Sequence, residues 1–298
     1  MGNSAPLTRR FPAPEPIDIA WTTRALNEAA KRTPEGVWWA TNTPDGAASA
    51  LIARQEDDII VQAWGVGSEW ILEQTPLMLG IEDDPASLPL VGDAVTKIAR
   101  HHPGLRIGRS GRVMEALLNA VLGQKIQATM AHKSARSLRW KFGQPSPGPC
   151  PIQLLPTSEQ IAKMSYTDLH PLGVERKRAN IIINCAKRAH RVEETTQMSL
   201  VDAETRLLAF DGIGPWTAAL TMQAALGDAD AVAVGDYHLP NTVSWALAGE
   251  PRADDARMLD LLEPYRGHRG RVTKLLKYSG TKAPKYGPRL ELWSPAKL

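Results

Sequence analysis

At 298 residues the chain is long enough to bury a substantial core, in one large domain or two packed ones. It is 43% hydrophobic and 22% charged, with no run of 18 apolar residues and no charged, apolar, then small-residue leader at its start, so a cytoplasmic protein is expected. Its two cysteines, Cys150 and Cys185, exclude a four-thiolate cluster and a cysteine-based zinc site, and the scattered histidines offer no metal-ligand spacing.

The net charge of +3 hides an uneven distribution. Residues 1–96 carry 6 basic and 14 acidic side chains, 97–143 carry 10 and 1, 144–263 carry 10 and 16, and 264–298 carry 9 and 1. Two basic blocks in an otherwise acidic chain point to a surface that meets a polyanion, though solvated helix faces give the same pattern.

In chain order, residues 1–16 hold four prolines and little periodicity, which predicts an extended lead-in. A helix over 21–31, three β-leaning runs at 37–41, 48–54 and 59–63, and a helix over 67–79 predict a small α+β unit with an antiparallel sheet over 17–88. The Asp83-Asp84-Pro85 stretch reads as a linker to a mostly helical domain over 89–278. Helices are expected at 91–101, 113–142, 158–164, 166–169, 175–191 and 202–210, with a Pro-rich connection at 144–156. Gly123 should interrupt the long 113–142 pattern, because glycine costs about 1 kcal/mol against alanine inside a helix. Further helices are expected at 239–247, 253–262 and 268–278, before a basic tail at 279–298.

The most informative stretch is 207–245. Gly212-Ile213-Gly214 separates two helical patterns and Pro215 opens the second, so the reading is helix, tight hairpin, helix. Free backbone N–H groups at such a helix start suit a phosphate. About twenty residues on, an apolar, strand-like run at 231–234 is broken by Gly235, and Asp236 stands at the entry to the next helix, where an acid is ordinarily a cap.

GIGPWTA followed by VAVGDYHLP at this spacing resembles the signature of the helix-hairpin-helix DNA glycosylase superfamily, and within it the DNA-3-methyladenine glycosylase II-like branch. The resemblance implies an α+β protein: a small N-terminal antiparallel-sheet domain packed on a mostly α-helical glycosylase domain. It also implies a monomeric enzyme that acts on double-stranded DNA containing damaged bases. Asp236 would be the catalytic carboxylate, stabilising an oxocarbenium-like sugar and directing water to C1′. Gly212, Ile213, Gly214 and Thr217 would hold phosphate at the hairpin, with no cofactor required but a monovalent cation accommodated there. Leu122 would be an apolar wedge that fills the gap left by the extruded nucleotide, beside Gly123, with Gln124 on the opposite strand and Lys125 on a phosphate. Trp216 stands where strand-cutting members carry a Schiff-base lysine, which implies a monofunctional enzyme. Trp216, Leu220, Tyr237 and Tyr278 would form the base pocket, and a tryptophan face there attracts a cationic, alkylated base.

The chain also departs from the pattern. Asp211 occupies a position that is often proline, Gly235 one where a second acid is common, and Leu220 one where an aromatic is expected. Excision of another lesion, and a non-catalytic DNA-binding helix-hairpin-helix protein, are the alternatives.

Overall fold

The computed structural model describes residues 5–284. Residues 1–4 of the expected lead-in and 285–298 of the expected basic tail lie outside them.

Five strands form one antiparallel sheet in the order β1-β5-β4-β3-β2: β1 Leu7–Pro12, β2 Ala30–Thr33, β3 Gly36–Thr43, β4 Gly46–Gln55 and β5 Asp58–Gly65. The expected lead-in is thus an edge strand, with Leu7 opposite Ala63 and Pro12 opposite Asp58. Its proline sits at the strand end, where a missing N–H costs the ladder least. The expected helix over 21–31 is a single turn, α1 Ile19–Thr22, then a 3-10 stretch and β2.

Helix α2, Ser68–Met78, packs Ile71, Leu72 and Met78 on one face of the sheet against Ile52, Ile59 and Val61. The other face carries Trp38 and Trp64, and its cover comes from the Pro-rich connection, through Ile152 and Leu154. Ser49 Oγ donates to the Pro147 carbonyl at 2.6 Å and Asn42 to that of Leu155 at 2.7 Å. A segment that reads as a spacer therefore belongs to the sheet's core, because a sheet that is apolar on both faces needs two covers.

The rest is helical: α3 Asp93–His101, α4 Val113–Leu122, α5 Ala128–Phe142, α6 Ser158–Ala162, α7 Tyr166–Leu169, α8 Arg176–Ala186, α9 Ala189–Glu193, α10 Leu200–Leu208, α11 Pro215–Thr221, α12 Leu239–Ala248, α13 Asp255–Leu262 and α14 Arg269–Tyr278. Among the described residues no helix is long and apolar enough to cross a membrane. The largest core cluster surrounds α4, where Leu117, Leu118 and Val121 meet Ile182 of α8 and Leu207 of α10.

Buried charge joins the sheet unit to the helices. Arg106 is 7% exposed and donates to the carbonyls of Pro14, Glu15, Pro16, Gly80 and Asp83. Asp83, in the expected linker, accepts the Ile107 N–H at 2.8 Å and pairs with Arg271 of α14, itself 2% exposed. Glu115 of α4 accepts from Thr41 of β3 at 2.8 Å and pairs with Arg139 of α5.

A buried arginine whose anion is removed has no water to fall back on. Asp83→Ala should lower stability by about 3 kcal/mol or more, read as an earlier urea midpoint. Arg266→Ala, which breaks the exposed pair with Glu263, should leave the midpoint in place.

Candidate active site

Helix α10 ends at Leu208, and the chain reverses through Phe210 to Gly214 before Pro215 starts α11. Ile213 donates its N–H to the Phe210 carbonyl at 3.0 Å and buries its side chain, which pins the hairpin to the core. Gly212 has φ +84°, and a Cβ there would come within 2.4 Å of Ile181 on α8. Gly214 is extended, and a Cβ on it would meet nothing within 4 Å. Asp211 is exposed beside them.

Helix α11 runs on into one π-helical turn, Met222–Leu226, closed by Gly227 in the left-handed region. The apolar run 231–234 is no strand: it is a loop whose Ala233 carbonyl accepts the Asp236 N–H at 3.2 Å. Gly235 turns that loop at φ +89°, and its N–H is held by Asp255 Oδ2 at 3.0 Å.

The Asp236 carboxylate receives three donors. Its Oδ1 accepts the N–H groups of His238 at 2.8 Å and Leu239 at 3.0 Å, which caps α12. Its Oδ2 accepts Nε1 of Trp216 at 3.0 Å. The cap and the candidate catalytic group are therefore one side chain, each oxygen with its own use.

The break between α4 and α5 closes on the same place. Arg178 of α8, buried beneath it, donates to the Leu122 carbonyl at 2.8 Å and ends α4 there. Burial lowers the pKa of this guanidinium, against the raising effect of Glu175. Gln124 Nε2 then bridges the Gly212 carbonyl at 3.0 Å and Thr217 Oγ1 at 2.9 Å. The Trp216 indole lies against Gly123, where a Cβ would approach it to 3.2 Å. Lys125 stands exposed at the tip with φ +56°, a conformation uncommon outside glycine and concentrated at functional sites.

Several expectations change. Leu122 is 1% exposed inside the main core, so it is not a wedge: its side chain faces the helix packing, and the residue at the tip is Lys125. Thr217 is buried and spends its hydroxyl on Gln124, while Gln124 is tied to the hairpin instead of projecting freely. Leu220 lies half-buried on α11, one turn beyond Trp216. Tyr237 is 81% exposed, its ring edge-on to His238 at 4.8 Å, so it lines no closed pocket. Tyr278 meets Trp21 at 5.6 Å and the Arg24 guanidinium at 4.9 Å, in the layer beside the sheet unit. Arg178 and Asp255 position the site and escaped the sequence reading, because no spacing marks a side chain that acts by touching backbone far along the chain.

The chain matches the model of the HhH-GPD superfamily of base excision DNA repair proteins over residues 118–266, half its length. It belongs to that superfamily. The HhH-GPD segment holds all three tied loops, the α4–α5 break, the hairpin and the Asp236 turn. A DNA-3-methyladenine glycosylase of Bacillus subtilis is 29% identical over 150 residues, 49% of this chain and 50% of the relative. DNA-3-methyladenine glycosylase 2 of Escherichia coli is 29% identical over 133 residues, 43% and 46% of the two chains. The matches thus span about half the length of these relatives. The fold is that of the Archaeoglobus fulgidus 3-methyladenine DNA-glycosylase, with a TM-score of 0.78 at 22% identity, covering 91% of this chain and 98% of that one. The fold is also shared by the Clostridium acetobutylicum 8-oxoguanine glycosylase/lyase, with a TM-score of 0.67 at 15% identity, covering 88% and 92%.

The two hairpin glycines make different demands. Gly212→Ala must strain the backbone and displace Ile181, so a loss of roughly 1–3 kcal/mol is expected in denaturant unfolding. Gly214→Ala, with open space and an ordinary φ of −100°, should be close to neutral.

Proposed function

We propose that the protein is a monofunctional DNA glycosylase that extrudes alkylated bases of the 3-methyladenine and 7-methylguanine type from duplex DNA and hydrolyses the N-glycosidic bond. The product is an abasic site. The observation that carries this reading is the Asp236 carboxylate, fixed by two backbone N–H groups and the Trp216 indole at the mouth of a hairpin suited to phosphate.

An alkylated purine already carries positive charge and leaves easily, so stabilising the charge that develops on the sugar is the larger part of the task. A carboxylate oriented before the reaction does this without reorganising. The same carboxylate accepts the proton of the water that adds to C1′, and the base departs with the bonding electrons. Trp216 occupies the position after the hairpin and has no amine for a Schiff base, so strand cleavage is not part of the reading. The N–H groups of Gly214 and Trp216, unpaired among the described residues, would take a phosphate of the damaged strand. With Leu122 in the core, the side chain that enters the vacated stack would be Lys125, whose four-carbon stem is apolar and whose ammonium reaches a phosphate. A monovalent cation at the hairpin would have to use the second lone pair of the Gly212 carbonyl, since Gln124 holds the first.

The test is release of free base from methylated duplex DNA. Wild type should release 3-methyladenine or 7-methylguanine, with nicks appearing only after alkali. Asp236→Asn should release none. Trp216→Phe, which keeps the ring and loses one donor to a charged acceptor, should slow single-turnover excision about tenfold or more. Release of a different lesion would retain the chemistry and change the substrate. Tight DNA binding without any release, indifferent to Asp236→Asn, would instead make the protein a binding module.

A further inference from the structure

Not all of the charge in the two basic blocks of the sequence reaches the surface unpaired: exposed cations without a carboxylate partner among the described residues remain at Lys97, Arg100, Lys125, Lys133, Arg136 and Lys141, but the buried and paired arginines do not count toward them. Most arginines of residues 97–143 and 264–284 already have partners within the chain. Arg106 holds backbone carbonyls, Arg109 pairs with Glu82 and Arg139 with Glu115, and Arg269 and Arg271 pair with Asp230 and Asp83.

The reverse holds on α8 and α9, inside the block that reads as net acidic. The three acids of residues 175–194 are all engaged. Glu175 lies 3.5 Å from Arg178, Glu193 accepts the N–H groups of Val113 and Met114 at the start of α4, and Glu194 pairs with Arg206 at 2.8 Å. Lys177, Lys187, Arg188 and Arg191 are exposed, and among the described residues none has a carboxylate within ion-pair distance. Lys177, Asn180, Asn184 and Lys187 follow the three- and four-residue steps of one helix face, a line about 15 Å long at 1.5 Å per residue. No apolar side chain is exposed along that line.

This face borders the hairpin. Ile181, next to Asn180 on α8, packs where Gly212 has no side chain, and the Arg188 guanidinium sits 5.0 Å from the ring of Phe210, whose carbonyl closes the hairpin turn.

We propose that this face, Lys177, Asn180, Asn184 and Lys187, continued past the end of α8 by Arg188 and Arg191, is a second track for duplex DNA that binds backbone phosphates beside those held by the hairpin. The proposal rests on the glycosylase reading and extends it from the damaged nucleotide to the flanking duplex. Four uncompensated cations would neutralise phosphates, and the two carboxamides would donate to phosphate oxygens without adding charge. A protein partner would need an apolar or aromatic anchor, and the face has none. The track reads no sequence: its contribution is affinity, and it is sensitive to salt.

The experiment measures binding of the full chain to undamaged duplex between 50 and 200 mM salt, beside single-turnover excision of an alkylated base at saturating enzyme. In the triple variant Lys177→Gln, Lys187→Gln, Arg191→Gln, the slope of log K against log salt should flatten by about 2.7, at 0.9 for each phosphate that is no longer neutralised. The advantage of wild type over the variant should then shrink roughly 40-fold across that salt range. The charge-preserving triple Lys177→Arg, Lys187→Arg, Arg191→Lys should keep the wild-type slope, and saturated excision should be unchanged in both. Equal slopes for wild type and the glutamine triple, with Asp236-dependent excision intact, overturn the track and leave the glycosylase reading standing. A wild type that neither binds duplex nor releases base overturns both.

Discussion

One indole holds the candidate active site together. The Trp216 N–H fixes Asp236, its ring rests on Gly123, and its backbone opens the helix that follows the hairpin. Three segments separated by up to about a hundred residues thus share a joint that no single one can form. Gln124 repeats the tie through polar atoms, joining the α4–α5 break to Gly212 and Thr217. In the proposed reaction a carboxylate that stabilises charge in the transition state gains from being oriented beforehand, and Asp236 is oriented by groups that packing already holds.

That packing rests on buried arginines. Arg178 ends α4 by taking the Leu122 carbonyl, Arg139 ties α5 to Glu115 and through it to the sheet, and Arg106 and Arg271 fasten the linker to both units. A planar guanidinium with five donors can satisfy several carbonyls at once, which a lysine ammonium cannot do with the same geometry. The arrangement makes the sheet unit part of the scaffold that fixes the helix break, since Glu115 lies two turns before Gly123 on the same helix.

The same arginines explain why linear charge misleads. A basic block advertises a polyanion surface only if its cations face solvent without partners. In 97–143 most of the arginines are consumed by carbonyls and carboxylates, whereas on α8 and α9 it is the acids that are consumed. A free positive surface beside the hairpin, hidden by the net acidic count of 144–263, is the result, next to the helix start that carries the unpaired backbone N–H groups.

By itself, the sequence determined most of the helices, the three central strands, the hairpin and the placement of Asp236 at a helix entry. These depend on local periodicity and on glycine and proline chemistry, both of which are written residue by residue. It also carried the family signature over the half of the chain where these features lie. Only the tertiary structure decided which face each side chain presents. Leu122 went to the core and left Lys125 at the tip, because the helix end is set by Arg178, fifty-six residues away. Residues 231–234 have strand composition but stay a loop, because their carbonyls are taken one at a time, Ala231 by the Gln223 side chain and Ala233 by the Asp236 N–H, and not by a neighbouring strand. Leu7–Pro12 became a strand for the opposite reason, since β5 offers an open edge. Composition states what a segment can do, and the partner it meets in the fold decides which of those things it does.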